Sequence, residues 1–178
     1  MGQLSDEDLM RAARNGDMRA FRTIVDNNED KVAGIVKSML GDTPEALDIG
    51  QEVFIRFYES LEKFKGESSI GTYLVRIAIN LSLNELKKRK RRNYLFKPEE
   101  AGMNVNAENS VNDLHEAVHH EVNKLDPDFK AVVTLRMIEG YSTKETADIL
   151  NMPMDTVLSR LSRAQRKLKI TLAKYFDL

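Results

Sequence analysis

The chain has 178 residues, a net charge of -1, no cysteine, and 42% hydrophobic residues. That length suits one domain or two small ones, and the lack of cysteine excludes disulfides, thiolate zinc sites and thiol redox switches within it. No apolar run approaches the length that spans a membrane, and the polar start is unlike a signal peptide. We therefore expect a cytoplasmic protein without direct membrane insertion.

Amphipathic patterns predict four helices in the first half of the chain. They cover residues 6–14, about 18–39, a third helix after Pro44, and a long helix over about 72–92. A turn rich in Gly and Ser at 65–71 precedes the fourth helix. The third helix carries an apolar stripe at helical spacing: Ala46, Ile49, Val53, Phe54, Phe57, Tyr58 and Leu61. On the fourth, we expect these side chains to be buried: Tyr73, Leu74, Ile77, Leu81 and Leu86.

Six consecutive basic residues end the fourth helix. They are Lys87, Lys88, Arg89, Lys90, Arg91 and Arg92. A block of this kind can bind phosphate groups or can simply be hydrated.

A segment without sustained periodicity, residues 94–112, contains Pro98, Gly102 and several asparagines. We interpret it as a flexible linker between a domain at 1–93 and a second at 113–178. No alternating run of β-branched residues supports a strand. The predicted fold is therefore all-α, with two small helical domains.

The last third of the chain is typical of a helix-turn-helix. Ser142 and Glu145 stand at capping-box spacing, and residues 151–153 interrupt the helix that they begin. On the following helix one face is apolar at four-three-four spacing: Val157, Leu161, Ala164 and Leu168. Another face carries Arg160, Arg163 and Lys167. The pattern predicts a second domain with one buried seam and one basic face.

The basic face favours DNA binding over an ordinary amphipathic hairpin. Between Met154 and Tyr175 the one acid is Asp155, whereas a solvated face normally mixes both signs of charge. A helix with a basic stripe is shaped for a DNA groove.

A zinc-peptidase pattern also occurs, from His115 through Glu116 to His119. It lies just after the linker in a domain too small for a substrate cleft, and His120 adds nothing specific. Glu139 stands at a plausible distance for a third ligand, but it falls in the turn before the helix-turn-helix. A zinc metallopeptidase is therefore a remote alternative, and we expect no metal site. With no P-loop, nucleophile elbow or paired catalytic carboxylates, we expect no catalytic residues, no cofactor and no enzyme activity.

Three segments follow one another along the chain: Asp-Ile-Gly-Gln-Glu-Val-Phe at 48–54, Phe-Lys-Gly-Glu-Ser-Ser-Ile-Gly-Thr-Tyr-Leu-Val-Arg-Ile-Ala-Ile-Asn at 64–80, and Asp-Thr-Val-Leu-Ser-Arg-Leu-Ser-Arg-Ala at 155–164. In this order they resemble the extracytoplasmic-function (ECF) sigma factors of bacterial RNA polymerase. The resemblance spans nearly the whole chain. It implies a promoter-opening domain followed by a helix-turn-helix domain that binds the upstream promoter element.

The resemblance implies that the helix at 48–54 docks on the coiled coil of the largest subunit of core RNA polymerase. Asp48, Gln51 and Glu52 lie at three- and four-residue intervals, and acids suit the basic side chains of that partner. A merely solvated acidic face is the alternative for these three residues.

In this family the segment at 64–80 captures a base flipped out of the minus-ten element. The residues that match this role are Lys65, Ser68, Ser69, Tyr73, Arg76 and Asn80. Stacking on an aromatic or apolar wall and polar contacts to the base edge would hold such a base. The alternative is that Tyr73 belongs to the core and Arg76 to the surface.

The basic block 87–92 would then grip phosphates near the start of the melted bubble. Asn84 departs from the family, which usually has aspartate there, and so puts in doubt any salt bridge from that position.

Leu158, Ser159, Arg160 and Arg163 match the residues that read the minus-thirty-five element, and Lys167 extends their basic face. Arginine bonds two acceptors of guanine at once, whereas leucine makes only apolar contact, for example with a thymine methyl. Leu158 departs from the family, in which a basic side chain is frequent there.

The expected function is therefore that of an ECF sigma factor, which binds core polymerase, recognises both promoter elements and promotes melting of the DNA. The resemblance also implies an anti-sigma factor as partner. The alternative is a helix-turn-helix regulator without sigma activity, whose first domain would carry a ligand pocket or a dimer seam.

Overall fold

The computed structural model describes residues 5–95 and 110–175, and it describes the side chains of 5–95 and 116–175. All regular elements in these ranges are helical, which confirms the all-α prediction. Within the same ranges, no helix combines the length and apolarity needed to cross a bilayer. The chain divides into two compact units, Met1–Ser82 and Leu83–Leu178. This division falls inside the long fourth helix, and the domain limits at 93 and 113 stay predictions.

The first unit contains the four helices that the amphipathic patterns predict. They are α1 (Asp6–Arg14), α2 (Met18–Leu40), α3 (Pro44–Glu59) and the start of α4 (Ile70–Leu95), with a 3-10 turn at Leu61–Lys63. Local chemistry sets the starts, because Asp17 caps α2 through Arg19 N at 2.9 Å and Thr43 caps α3 through Ala46 N at 3.3 Å.

An aromatic cluster holds the first unit together. Phe57 of α3 is fully buried, and its ring lies 6.2 Å from Phe21 of α2, 6.5 Å from Phe64 and 6.0 Å from Tyr73 of α4. The Phe64 and Tyr73 rings meet edge to face at 5.0 Å. Such pairs add roughly 0.5–1.5 kcal/mol each beyond the area that they bury.

The buried face of α4 differs from the prediction. Leu74 is buried as expected, but Tyr73, Ile77, Leu81 and Leu86 are only half-buried. The buried residues of this helix are Ile70, Leu74, Val75, Ala78, Ile79 and Ser82. The core thus lies against a neighbouring face of the helix, which sequence spacing alone does not distinguish.

The second unit contains the helix-turn-helix. Its elements are α5 (Ser110–Asn123), α6 (Pro127–Val133) with a π-helical turn at Thr134–Ile138, α7 (Thr143–Leu150) and α8 (Met154–Ala173). The predicted capping box is present, with Ser142 N donating to Glu145 Oε2 at 2.8 Å and Glu145 N to Ser142 Oγ at 3.2 Å. Asn151 ends α7 in the left-handed conformation at φ 50°. The predicted seam of α8 is also present, with Leu161 half-buried and the others buried.

Helix α6 has no counterpart among the predicted elements. Its neighbouring residues Val132 and Val133 point into two separate apolar clusters, one with Ala147 and Val157 and the other with Val122 and Leu168, among others. A helix buried on several sides shows no amphipathic period, so pattern matching cannot detect it.

Glu121 of α5 is a buried carboxylate that fastens the end of α8. Its Oε1 accepts from Lys174 Nζ at 2.9 Å, Lys124 Nζ at 3.1 Å and the Tyr175 hydroxyl at 3.1 Å. Burial by itself would raise the pKa of Glu121, but these three hydrogen bonds together outweigh it and lower the pKa to about 2. The charged carboxylate is therefore the form that the fold stabilises.

We predict that Glu121→Gln destabilises the second unit strongly at neutral pH and progressively less as the solution becomes acidic. Because the folded pKa is below the unfolded value of 4.5, the stabilisation is complete above pH 4.5 and is lost as the pH falls through about 2. The loss at pH 7 should be about 1–3 kcal/mol, since the half-exposed lysines are partly screened by solvent. Urea unfolding followed by circular dichroism at pH 7 and pH 3 measures it, and at pH 3, which lies between the folded and unfolded pKa values, less than half of the loss should remain.

Glu116→Gln is the matched control, because Glu116 is an exposed acid on the same helix. It should change stability by no more than about 0.5 kcal/mol at either pH. An equal effect of both substitutions would contradict the assigned role of Glu121.

Candidate functional site

The acidic face that the sequence predicts lies on the exposed side of α3. Asp48 and Gln51 are exposed, and Glu52 is half-exposed with its Oε1 accepting from Arg56 Nε at 2.8 Å. The three side chains share one surface, as their three- and four-residue spacing requires.

Two apolar side chains on this surface were missed from the sequence. Leu47 is 70% exposed and Ile55 is 53% exposed, and both stand four residues from Gln51. Tyr58, which belongs to the apolar stripe noted in the sequence of this helix, is also 47% exposed. The sequence does contain this information: once Leu47 and Ile55 are counted, the apolar residues of this helix cover more than one buried face, so some of them have to be exposed to solvent.

The loop before α4 brings three of the predicted base-contacting residues together. Lys65, Ser68 and Ser69 line an open-sided cavity of about 600 Å³, with Gly66 and Phe64 beside them. The opposite wall comes from α1 and consists of Asp6, Glu7, Met10, Arg11, Arg14 and the adjoining Asn15. Pairing charged and polar side chains with the apolar Phe64, this cavity can hold a flat polar ligand.

The other three predicted base-contacting residues do not line this cavity. Tyr73 is half-buried against Phe57 and Phe64, so it belongs largely to the aromatic cluster. Arg76 is half-buried, and Asn80 is exposed about one turn further along α4.

Two aspartates at the start of α6 pair with bases from both α4 and α8. Asp126 lies 2.6 Å from Lys90 Nζ and 3.6 Å from Lys167 Nζ. Asp128 lies 3.4 Å from Lys87 Nζ and 3.8 Å from Arg160. A hydrogen bond from Lys90 is the first cause that lowers the pKa of Asp126, so this acid carries its charge at neutral pH. The other members of the basic block lie on the last turns of α4: Lys88, Arg89, Arg91 and Arg92.

The outer face of α8 carries the remaining predicted DNA contacts. Leu158 is 49% exposed, and Ser159 and Arg163 are exposed one turn apart. Arg166 continues the same row, although no role for it was predicted from the sequence. Arg163 forms no ion pair with the described residues, in contrast to Arg160 and Lys167, whose heads are directed to the two aspartates.

The zinc pattern has no described cluster to support it. The side chain of His115 lies outside the described residues, and His119 is exposed. Among the side chains that the structure describes, no group of three or more His, Asp or Glu could hold a metal ion.

Comparison with known protein families matches both units. The family described as Sigma-70 region 2 matches residues 24–92, and that described as Sigma-70, region 4 matches residues 115–168. These are regions of bacterial transcription initiation factors.

Similarity to individual relatives identifies the kind of sigma factor. The RNA polymerase sigma-H factor of Pseudomonas aeruginosa is 32% identical over 176 residues, which cover 92% of this chain and 91% of that protein. The ECF RNA polymerase sigma-E factor of Haemophilus influenzae is 33% identical over 186 residues, which cover 94% and 95%. This chain therefore belongs to the ECF family of RNA polymerase sigma factors.

Solved structures show the same fold. CnrH, solved in complex with the cytosolic domain of CnrY, matches with a TM-score of 0.68 at 25% identity over 95% of this chain and 97% of that one. RpoE of Bartonella quintana, solved with the anti-sigma factor NepR, matches with a TM-score of 0.67 at 20% identity over 85% and 96%.

We predict that alanine has opposite effects at two glycines of the first unit. Gly66 in the cavity loop has a φ of +73° and open space where the methyl group of an alanine would lie, so strain alone should make Gly66→Ala destabilising by about 1 kcal/mol. Gly34 lies inside α2 with equally open surroundings and no positive φ. Gly34→Ala should therefore stabilise by roughly 0.5–1 kcal/mol.

Thermal unfolding of wild type and the two variants measures whether each substitution stabilises or destabilises the protein. A stabilising Gly66→Ala would mean that the loop does not need its left-handed turn.

Proposed function

We propose that this chain is the specificity subunit of a bacterial RNA polymerase: it binds core polymerase through α3, captures a minus-ten base beside α4, and reads the minus-thirty-five element with α8. RNA synthesis belongs to the polymerase, so the chain itself has no catalytic residue. The single observation that carries the proposal is the exposed face of α3, which combines apolar and acidic side chains and which a simple DNA-binding regulator does not need.

The α3 face suits a basic helical partner such as the coiled coil of the largest polymerase subunit. Leu47 and Ile55 flank Gln51 and offer apolar area at the centre, while Asp48 and Glu52 offer charge beside it. Interfaces are strongest where an apolar centre is surrounded by polar groups that exclude water. This arrangement supports docking better than the solvated acidic face that the spacing alone allows.

The cavity beside the loop suits one unpaired base. Lys65, Ser68 and Ser69 supply donors and acceptors for a base edge, and Phe64 supplies an apolar surface. Capturing a base outside the stack stabilises the melted strand, which is how binding energy would promote opening of the promoter. Arg76 and Asn80, further along α4, would meet the strand as it leaves the cavity.

The basic block on α4 would hold the phosphates. Lys88, Arg91 and Arg92 are exposed. Lys87 and Lys90 form ion pairs with Asp128 and Asp126, so each would have to break its ion pair before it could bind a phosphate. Such contacts position the protein and add a salt-dependent, sequence-independent term to the affinity.

The outer face of α8 would enter the major groove. Arg163 is the best candidate for a paired contact to guanine, because it is exposed and no acid among the described residues engages its head. Ser159 suits a phosphate or base contact, and Leu158 suits a thymine methyl.

We further propose an anti-sigma factor as the regulatory partner and the cytoplasm as the place of action. The similar protein CnrH was solved bound to the cytosolic domain of CnrY. An inhibitor that covers the α3 face and the α8 face would block polymerase and DNA together.

We predict that Leu47→Ala combined with Ile55→Ala weakens binding to core polymerase by about tenfold or more, the loss of roughly 1.4 kcal/mol or more expected from truncating two side chains at an interface centre. Met18→Ala is the matched control, because Met18 is 57% exposed in the same unit but on α2. Competition for core polymerase against a labelled sigma factor measures the affinity.

Run-off transcription tests the function itself. Purified core polymerase from the same organism is given a library of fragments of its genome, with wild type, with the Leu47/Ile55 variant, and with Gln51→Ala/Glu52→Ala. Discrete new start sites that appear with wild type and fade with both variants are the expected result. DNA binding without any new start site would overturn the proposal in favour of a regulator without sigma activity.

We predict that Arg163→Ala weakens binding to duplex DNA carrying the minus-thirty-five element by about 5- to 150-fold, the usual 1–3 kcal/mol of a paired arginine–guanine contact. Lys169→Ala removes a charge from an exposed position on a different face of α8 and should cost far less. Electrophoretic titration with the cognate and a scrambled element separates the two effects. An equal loss on both DNAs would mean that Arg163 contacts phosphate only.

A further inference from the structure

We propose that α1 is the positioning element of the base-capturing loop, because Asp6 and Arg14 fasten the two ends of residues 64–70 and thereby keep the cavity in shape. The inference rests on the proposed function, since it takes the cavity's ligand to be an unpaired base. Neither side chain was assigned a role from the sequence.

Arg14 fastens the chain where it enters the loop. Its Nε donates to the carbonyl of Leu61 at 2.8 Å, and its Nη2 donates to the carbonyl of Phe64. Both carbonyls belong to the short turn that precedes the loop. A guanidinium that bonds two carbonyls at once fixes their direction as well as their distance, because its donors are held in one plane.

Asp6 fastens the chain where it leaves the loop. Its Oδ2 accepts from the backbone N–H of Ile70 at 3.1 Å. Ile70 is the first residue of α4, so this N–H has no partner within the helix. Ser69 accepts from Thr72 N at 3.1 Å, so the start of α4 is capped once locally and once from another helix. A carboxylate also suits the positive end of the helix dipole.

The helix α1 sets the distance between these two groups of hydrogen bonds, and α1 itself is packed into the core. Asp6 and Arg14 are the two ends of α1, about 12 Å apart along its axis. Leu9, Met10 and Ala13 are buried in the core of the first unit, so α1 cannot follow the loop if the loop moves. The distance between the loop's ends is therefore set from outside the loop.

The same helix forms the wall that faces the loop. Glu7, Met10 and Arg11 line the cavity opposite Lys65 and Ser68. Gly66, with its φ of +73°, gives the intervening chain freedom that the two end fastenings have to limit. A base would meet a pocket that is already formed, and the ordering cost of capture would be small.

Asp6 would have two opposite effects on DNA binding. Its negative charge beside the cavity would weaken binding, whereas its hydrogen bond to Ile70 N would strengthen binding by holding the loop. Substitutions separate the two effects. Asn keeps an oxygen that can accept from Ile70 N but removes the charge, whereas Ala removes both. Arg14→Lys keeps the charge but cannot bond the carbonyls of Leu61 and Phe64 from one planar group.

The test uses the full chain bound to core polymerase and single-stranded minus-ten oligonucleotides in which each position in turn is abasic. Wild type should bind the intact strand about tenfold more tightly than the strand lacking the captured base, in the range for one stacked base. Asp6→Ala and Arg14→Lys should lose most of this ratio, and Asp6→Asn should keep it. Asp30→Ala, an exposed acid on α2, is the control and should also keep it.

Hydrogen exchange of the Ile70 amide provides a readout that does not depend on DNA. It should be faster in Asp6→Ala than in wild type and unchanged in Asp6→Asn. If Asp6→Ala exchanges faster but keeps the full base discrimination, the inference is overturned and the proposed function stands. If Asp6→Asn and Asp6→Ala both bind every strand more tightly, the role of Asp6 is electrostatic and the inference fails. A wild type that discriminates at no position overturns base capture itself.

Discussion

The packing of Phe57 against Phe21, Phe64 and Tyr73 is the interaction on which the first unit depends. These rings come from α2, α3, the segment that leads into the loop, and α4. Because Phe57 is fully buried, the outward face of α3 is presented from a rigid support. The same cluster holds Phe64 at the rim of the cavity, so polymerase docking and base capture would share one structural foundation.

Charge is arranged differently in the second unit. Asp126 and Asp128 each pair with one base of α4 and one base of α8. DNA that engages these bases has to displace an acid, so part of the favourable release of counterions would be offset by broken ion pairs. The salt dependence of DNA binding would therefore be weaker than the number of basic residues suggests.

Much of the fold could be predicted from local pattern. The helix limits of α1, the capping box at Ser142 and the seam of α8 follow from the spacing of capping and apolar residues, which is a property of one helix at a time. Helix α6 could not be predicted, because burial on several sides removes the amphipathic period. The predicted buried face of α4 differs from the observed one by a fraction of a turn for a related reason. Val75 and Tyr73 are both apolar enough to be buried, and only tertiary packing selects between them.

The candidate site was predictable where residues are close in sequence. Lys65, Ser68 and Ser69 line one cavity as a short loop must. The contributions of Asp6, Arg14, Asp126 and Asp128 arise from pairs between separate helices, which no spacing rule reveals. Leu47 and Ile55 were assignable in principle, since a stripe that includes them is too wide for one buried face.

The long sequence separation of the α1 contacts has a consequence for synthesis on the ribosome. Arg14 bonds residues 47 and 50 positions later, and Asp6 bonds one 64 positions later. At a translation rate of about 5–20 residues per second, roughly 3–13 s separate the synthesis of Asp6 from that of its partner Ile70. The cavity is thus completed only after α2 and α3 have been translated, which makes it one of the last features of the nascent first unit to mature.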